Sequence, residues 1–219
     1  MESANETRGV DVYHGDGGMD WEAVAKDGIM FAFVKATEGL TLIDPRFQRN
    51  WLRTKEVGIV RGAYHFFRPE EDAGEQAERF LQMVKLDEND LPPTLDVEVD
   101  GGVGKNLLLI KTRKWLDIVE RGVGRKPIIY TSPSFWDEHM NDEFGDHPLW
   151  VAHYTAAKNP RLPAGWAKWS FWQYTEEGRT GSIPHTVDLD RFNGSMNELI
   201  AFVQSDRRVV DSAPTPKKI

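Results

Sequence analysis

The chain has 219 residues, of which 40% are hydrophobic and 28% are charged, proportions typical of a globular protein. It contains no cysteine, which excludes disulfides, thiolate metal sites and cysteine nucleophiles. Its formal net charge of −8 argues against nucleic acid binding, which needs a basic surface. No apolar run approaches the roughly 18 residues that a transmembrane helix needs.

Strands and helices alternate along the first part of the chain. Apolar β-rich runs predict five strands, and one-sided apolar periodicity predicts four helices between them. In chain order these are strand 9–13, helix 21–25, strand 29–36, helix 45–56, strand 59–67, helix 70–84, strand 93–99, helix 107–119 and strand 127–131. This alternation predicts a parallel sheet.

The pattern changes after residue 131. Three further strands are predicted at 149–154, 170–174 and 186–189, and only the last precedes a clear helix, whose start at Ser195 and Glu198 fits a capping box. Eight strands predict a closed α/β barrel of the TIM type that has lost most helices of its second half. An open doubly wound sheet is the alternative, and the absence of a glycine-rich phosphate loop favours the barrel.

The two ends differ in composition from the rest. Residues 1–8 are polar and lack the apolar stretch of a signal peptide. Residues 206–219 contain two prolines and mixed charges. We therefore expect a disordered lead at 1–8, one barrel domain at 9–205 and a flexible tail at 206–219, in a monomer whose cellular location the sequence leaves open.

Acidic and apolar residues alternate in the segment TLDVEVD at 94–100. In a strand its apolar residues face the helices, while Asp96, Glu98 and Asp100 face the barrel interior. Neighbouring like charges raise at least one pKa, and barrel enzymes carry their catalytic groups at the C-terminal ends of strands. Glycoside hydrolysis needs such a pair, with one carboxyl protonated and the other ionised.

Two other interpretations of this segment remain open. It is also compatible with a solvated edge strand, because acids at strand ends are commonly surface residues. It is compatible with a metal site as well, since hard cations favour oxygen ligands. No EF-hand spacing or histidine–glutamate zinc motif accompanies the acids, so we expect neither a metal nor another cofactor.

Two further acids occupy the first and last predicted strands. Asp11 lies in GVDV and Asp188 in VDLD, each beside apolar residues. Because the first and last strands of a closed barrel are neighbours, we expect these acids to approach each other and the pair Asp96 and Glu98. For each acid alone, a structural role is as plausible as a catalytic one.

Eight segments in order resemble glycoside hydrolase family 25, the muramidases that include fungal and bacteriophage lysozymes. They span about residues 9–205 and read GVDVYHGDGGMDW at 9–21, FVKATEG at 33–39, GAYHFFRP at 62–69, LDVEVD at 95–100, IIYTSPSFW at 128–136, LWVAHYT at 149–155, WQYT at 172–175 and VDLDRFNG at 187–194. The resemblance implies a flattened, incomplete barrel. It also implies cleavage of the β-1,4 bond between N-acetylmuramic acid and N-acetylglucosamine in the glycan strands of peptidoglycan.

The resemblance also implies roles for the acids. Glu98 corresponds to the acid/base, and Asp96 to the acid that orients the 2-acetamido group of the substrate as an internal nucleophile. Asp11 and Asp188 match the two other pocket acids of the family. Of the last pair, Asp188 fits the family motif better than Asp190, because the motif places its acid directly after the first apolar residue.

Aromatic and polar side chains at strand ends are candidates for substrate binding, since sugar rings stack on aromatic faces; ordinary core packing is the alternative for each. The candidates are Lys35, Tyr64, Tyr130, Trp150, Tyr154, Trp172 and Gln173. The chain departs from the family at Tyr13, where many members carry Ser, and in the HGDG stretch that follows. These departures lie at the pocket rim.

Two other functions remain open. A peptidoglycan-binding module would have lost an essential acid, and the intact Asp96 and Glu98 argue against it. A chitinase-like barrel would carry a longer run of alternating acids, whereas PPTL at 92–95 precedes Asp96 here. A phage endolysin, a secreted autolysin and a competition effector would not differ in these features.

Overall fold

A computed structural model of the chain describes residues 7–181 and 183–205. The predicted lead at 1–8 falls mostly, and the predicted tail at 206–219 entirely, outside these residues. The barrel begins earlier than the predicted boundary at residue 9. Thr7 is buried, its hydroxyl donates to the carbonyl oxygen of Gly194 at 2.8 Å, and the first strand starts at Arg8.

One sheet contains all the strands of the described chain. They are β1 (Arg8–Val12), β2 (Ile29–Glu38), β3 (Leu42–Ile43), β4 (Val60–Phe66), β5 (Thr94–Asp96), β6 (Ile128–Thr131), β7 (Leu149–Ala152), β8 (Phe171–Gly178) and β9 (Val187–Phe192). Their order is β1-β9-β8-β7-β6-β5-β4-β2-β3, and β1 also pairs with β2. Eight strands therefore close into a barrel, as predicted, and β3 forms an unpredicted hairpin on β2.

Six α-helices accompany the barrel within the described residues. They are α1 (Trp21–Lys26), α2 (Phe47–Glu56), α3 (Ala73–Met83), α4 (Lys105–Val123), α5 (Pro133–His139) and α6 (Met196–Gln204), with a short 3₁₀ helix at His14–Asp16. Between β7 and β9 the described chain has no helix. The irregular α/β barrel with helices missing from its second half is thus confirmed. None of these helices is long and apolar enough to cross a membrane.

The direction of β9 differs from the prediction. The other barrel strands pair in parallel, but β9 runs antiparallel to both β1 and β8. The reversal places Asp188 near the start of β9, where it pairs in register with Asp11 near the end of β1. The acids of the first and last strands therefore meet at the end of the barrel where the parallel strands end.

The fourth barrel strand is shorter than the predicted 93–99. β5 ends at Asp96, although the backbone N–H of Val97 still donates to the carbonyl oxygen of Tyr130 at 2.9 Å. The chain then turns through Gly101 and Gly102, whose φ angles of 57° and 69° favour glycine. The expected alternation of three acids on one strand face is therefore wrong beyond Asp96.

Apolar side chains fill the barrel interior. Phe33 stacks on Trp150 with ring centroids 4.0 Å apart, and Phe171 meets the edge of Phe33 at 5.0 Å. A second and larger core lies on the other side of the strands and includes helix residues such as Trp115 of α4. Asp11 and Asp96 lie near the C-terminal ends of their strands, β1 and β5.

Candidate active site

Asp96 and Glu98 stand at the end of β5 in different environments. Asp96 is 5% exposed, and among the described residues no group donates a hydrogen bond to its buried Oδ1 atom. Glu98 retains contact with solvent. Asp100, expected on the same face, instead accepts from the backbone N–H of Gly102 at 3.1 Å and lies 3.9 Å from His139. Of the three acids, only Asp96 and Glu98 therefore form a pair, and Asp100 points away from them.

Both carboxyls have pKa values raised by their surroundings. Burial raises the pKa of Asp96 well above its usual range, and the nearby charge of Glu98 raises it further. The pKa of Glu98 is also raised, because protein atoms remove part of its hydration, although the positive charges of Lys35 and Arg68 oppose the shift. One carboxyl reaching solvent beside a buried one suits an acid/base next to a fixed charge.

The positive charges near this pair are held by Glu38. Its carboxylate accepts from Lys35 Nζ at 2.6 Å and from Arg68 Nε at 2.9 Å. Burial opposes the charge on Glu38, but these hydrogen bonds outweigh it and lower the pKa. Lys35 therefore forms a buried ion pair, and its contact with substrate stays a prediction.

A second acid group joins β1 to β9. Burial raises the pKa of Asp11 well above its usual range, and the charges of Asp190 and Asp188 add to the shift. Burial also raises the pKa of Asp188 to about 6. Asp190 is fully buried, and its Oδ1 atom accepts from Trp150 Nε1 at 2.7 Å. Among the described residues its buried Oδ2 atom has no hydrogen-bond partner, and burial raises its pKa well above the usual range.

Asp190→Asn is expected to raise the thermal unfolding midpoint at pH 7. Burial raises the pKa of Asp190 well above its usual range, so the folded protein keeps a proton that the unfolded chain releases above a pKa of about 3.9. The contribution of this group to the free energy of unfolding is therefore fully present below the unfolded pKa and is lost as pH rises towards the raised pKa of the folded protein. An amide needs no proton, and its oxygen can still accept from Trp150 Nε1.

Thermal unfolding of both proteins at several pH values between about 4 and 7 measures this effect. The unfolding midpoint of Asp190→Asn should decline less with rising pH than that of the unchanged protein. The control variant Asp117→Asn, at an exposed position, should behave like the unchanged protein. A midpoint lowered equally at every pH would mean that Asp190 is ionised in the fold.

Gln173 of β8 connects the second acid group to two tyrosines. Its Oε1 atom accepts from the hydroxyls of Tyr130 and Tyr154, each at 2.8 Å. Its Nε2 atom donates to Asp11 at 2.8 Å and to Asp188 at 3.2 Å. The amide is 2% exposed, so all its hydrogen bonds serve to position four side chains. Predicted as a substrate contact, it lies behind the pocket groups in the structure.

The structure separates the other predicted contacts into pocket and core. Tyr64 lies in the barrel interior, and burial followed by the charges of Asp11 and Asp96 raises its pKa well above its usual range. Tyr154 is 48% exposed at the rim. Trp150 is 1% exposed and supports the pocket from within the barrel.

Trp172 lies on the opposite face of β8 from Gln173. It is buried in the outer core, and its Nε1 atom donates to the carbonyl oxygen of His153 at 2.8 Å. Ordinary core packing therefore describes Trp172, and the structure does not bring it to the pocket. Successive side chains of a strand point to opposite faces, which accounts for its position beside the inward-facing Phe171 and Gln173.

Sequence reasoning missed Asp16 and Arg68. Asp16 Oδ2 accepts from the backbone N–H of Tyr13 at 2.8 Å, and its charge raises the pKa values of Asp11 and Asp188. Its signal was the unusual HGDG stretch. Within 7–181 and 183–205, no three histidine, aspartate or glutamate side chains are arranged to hold a metal ion.

A carboxyl pair at the C-terminal end of a barrel strand, with further acids and tyrosines beside it, defines a glycoside hydrolase of the β/α-barrel class. The family model of Glycosyl hydrolases family 25 matches residues 10–183, and the chain belongs to this family.

Related proteins agree with this assignment. The chain is 42% identical over 200 residues to the uncharacterized protein YegX of Escherichia coli K12, covering 89% of this chain and 72% of YegX. It is 35% identical over 211 residues to lysozyme M1 of Streptomyces globisporus, covering 90% of this chain and 71% of lysozyme M1. The crystal structure of the lysozyme from Streptomyces coelicolor matches with a TM-score of 0.87 and 32% identity over 92% of this chain and 98% of that one. The chain is thus an enzyme of the glycoside hydrolase type.

Proposed function

We propose that the enzyme hydrolyses the β-1,4 bond between N-acetylmuramic acid and N-acetylglucosamine in peptidoglycan. The observation that carries this proposal is the unpaired, buried Asp96 Oδ1 beside the solvent-reaching Glu98. A buried acceptor without a donor costs free energy unless a ligand supplies one, and the N–H of a 2-acetamido group is such a donor. Similarity to lysozyme M1 supports the same substrate.

Glu98 acts as the acid/base. Its raised pKa keeps the proton available at mildly acidic pH, and its solvent contact lets water enter for the second step. In the first step the Glu98 proton passes to the glycosidic oxygen as the bond to the anomeric carbon breaks. In the second step the Glu98 carboxylate takes a proton from the attacking water.

Asp96 assists the substrate's acetamido group. Its carboxylate accepts the N–H and turns the carbonyl oxygen towards the anomeric carbon, where that oxygen bonds and forms a cyclic cation. The negative charge of Asp96 stabilises this cation more strongly because the side chain is buried. Substrate-assisted hydrolysis of this kind needs no covalent bond to the enzyme.

The second acid group surrounds the sugar with negative potential. Asp11 and Asp188 are held by Gln173, and positive charge that develops at the anomeric centre is stabilised by fixed carboxylates nearby. Tyr64 and Tyr130 present polar tips close to these acids. We assign them to substrate hydroxyls, together with Tyr154 at the rim.

Full activity is expected in excess chelator. The acids serve proton transfer and charge stabilisation in this mechanism, so removal of divalent ions should not change the rate of lysis. Clearing of a cell-wall suspension with and without a chelator measures this. Loss of activity that a divalent ion restores would assign the carboxyls to a metal site.

Digestion of purified peptidoglycan followed by mass analysis of the fragments tests the proposed function. Fragments that end in a reducing N-acetylmuramic acid are expected, since that sugar contributes the anomeric carbon of the cleaved bond. Fragments ending in reducing N-acetylglucosamine would contradict the proposed bond. Binding to the polymer without cleavage would indicate a carbohydrate-binding module, and cleavage of N-acetylglucosamine polymers alone a chitinase-like enzyme.

A further inference from the structure

Tyr13 is an exposed aromatic residue beside the acids. It follows the end of β1, two residues after Asp11, and is 44% exposed. We propose that Tyr13 is a sugar-binding platform on the pocket rim, on which an N-acetylhexosamine ring of the glycan strand stacks. This inference rests on the proposed function, because it assigns a further contact to the same substrate.

Tyr13 adjoins Lys35 and Asp16, whose charges act on the two acid groups. On one side, Lys35 Nζ is 5.9 Å from the centroid of its ring, and the charge of Lys35 acts on both Asp96 and Glu98. On the other side, Asp16 accepts from the Tyr13 backbone N–H. The ring therefore lies at the same end of the barrel as the acids.

The ring is fixed from below by a glycine. A Cβ atom on Gly15 would lie 2.3 Å from Tyr13 Cζ and 2.4 Å from its hydroxyl oxygen. Since real Cβ atoms do not approach other atoms this closely, the phenol ring rests on the Gly15 backbone in space that any other residue would fill. Tyr13 and Gly15 thus form one packed unit.

The ring is fixed from the side by His14. The two rings meet edge to face, with centroids 5.2 Å apart and an angle of 78°. His14 is anchored in turn by the buried Asp44, which accepts from its backbone N–H at 2.8 Å and lies 2.9 Å from its Nδ1 atom. A side chain that is already ordered loses little entropy on binding, which favours stacking.

The residues around Tyr13 favour a sugar as the ligand of its exposed ring. The neighbours of Tyr13 are polar or charged: His14 and Lys35 lie at the ring, and Asp16 accepts from the backbone N–H. The apolar surface is therefore one ring wide and bordered by hydrogen-bonding groups. This matches a pyranose, which has an apolar C–H face and polar edges, and does not match a lipid or an apolar helix.

Substitution of Tyr13 tests the platform. Tyr13→Ser should weaken binding of soluble glycan strands freed of their peptides by about three- to tenfold, the size of an aromatic stacking contact. It should raise KM by a similar factor and leave kcat nearly unchanged. Tyr13→Phe should keep native binding, and Leu52→Ser, which removes another exposed apolar side chain on α2, should change neither.

Gly15→Ala provides a second test that leaves the tyrosine in place. The added methyl group must displace the ring, so we expect the same rise in KM. Gly15→Ala also serves as the test of the platform if Tyr13→Ser does not fold. Native KM in both variants, or a loss of kcat alone, would overturn the platform.

The two proposals fail in different ways. If the unchanged protein cleaves peptidoglycan but Tyr13→Ser binds glycan normally, the platform is wrong and the proposed function stands. If the unchanged protein neither cleaves nor binds glycan strands, the proposed function is wrong and the platform with it. Binding is measured by titration of each protein with the glycan strands, and so it does not depend on turnover.

Discussion

Glu98→Gln is expected to abolish cell-wall lysis and to leave the fold intact. The amide has nearly the same shape as the carboxyl, but it cannot donate a proton to the leaving oxygen. General acid catalysis typically contributes ~10²–10⁴-fold to the rate, so clearing of a wall suspension should fall by about that factor. Glu98 keeps solvent contact, and the substitution should therefore cost little stability in thermal unfolding.

Glu138→Gln is the matched control. Its side chain is 76% exposed on α5, and its loss of charge should not affect lysis. Near-native clearing by Glu98→Gln would remove Glu98 from the acid/base role. Equal losses in both variants would point to a general effect of net charge on wall binding.

Asp96→Asn is expected to lower kcat by about 10²-fold or more, the scale on which a fixed electrostatic group contributes to a transition state. The amide cannot stabilise the positive charge on the cyclised acetamido group. A thiazoline analogue of that cyclic intermediate should inhibit the unchanged enzyme at concentrations where the plain disaccharide does not.

Asp100→Asn separates the role of Asp96 from the charge of the segment. Both acids belong to TLDVEVD, but Asp100 turns away to Gly102 and His139. Asp100→Asn should therefore retain activity. If it is as damaging as Asp96→Asn, the acids act through their summed charge and not through a contact with the acetamido group.

The sequence predicts the barrel because the spacing of apolar residues, which distinguishes strands from helices, is a local property of the chain. Strands and helices up to β6 appear in the predicted order, and the loss of helices in the second half follows from the same pattern. The direction of β9 was not predictable in this way, because it depends on which strands the chain pairs with. The end of β5 at Asp96 was hidden as well, since the alternation continues through Val99 while the backbone already departs from the sheet.

Some residues of the site can be predicted from the sequence because their type is unusual for the strands in which they lie. Asp11, Asp96 and Asp188 stand out because acids are rarely found inside apolar strands. The role of Gln173 is not visible, because its partners lie in β1, β6, β9 and the segment after β7. The position of Trp172 follows from strand alternation, since its neighbours Phe171 and Gln173 face inwards.

The anomeric configuration of the first-formed product tests the account most directly. If the acetamido oxygen attacks first and water second, the anomeric carbon is inverted twice. NMR of a digest recorded before mutarotation should then show the β-anomer. An α-anomer as the first product would mean direct attack by water with a single inversion, and Asp96 or another pocket acid would have to be the base that activates that water.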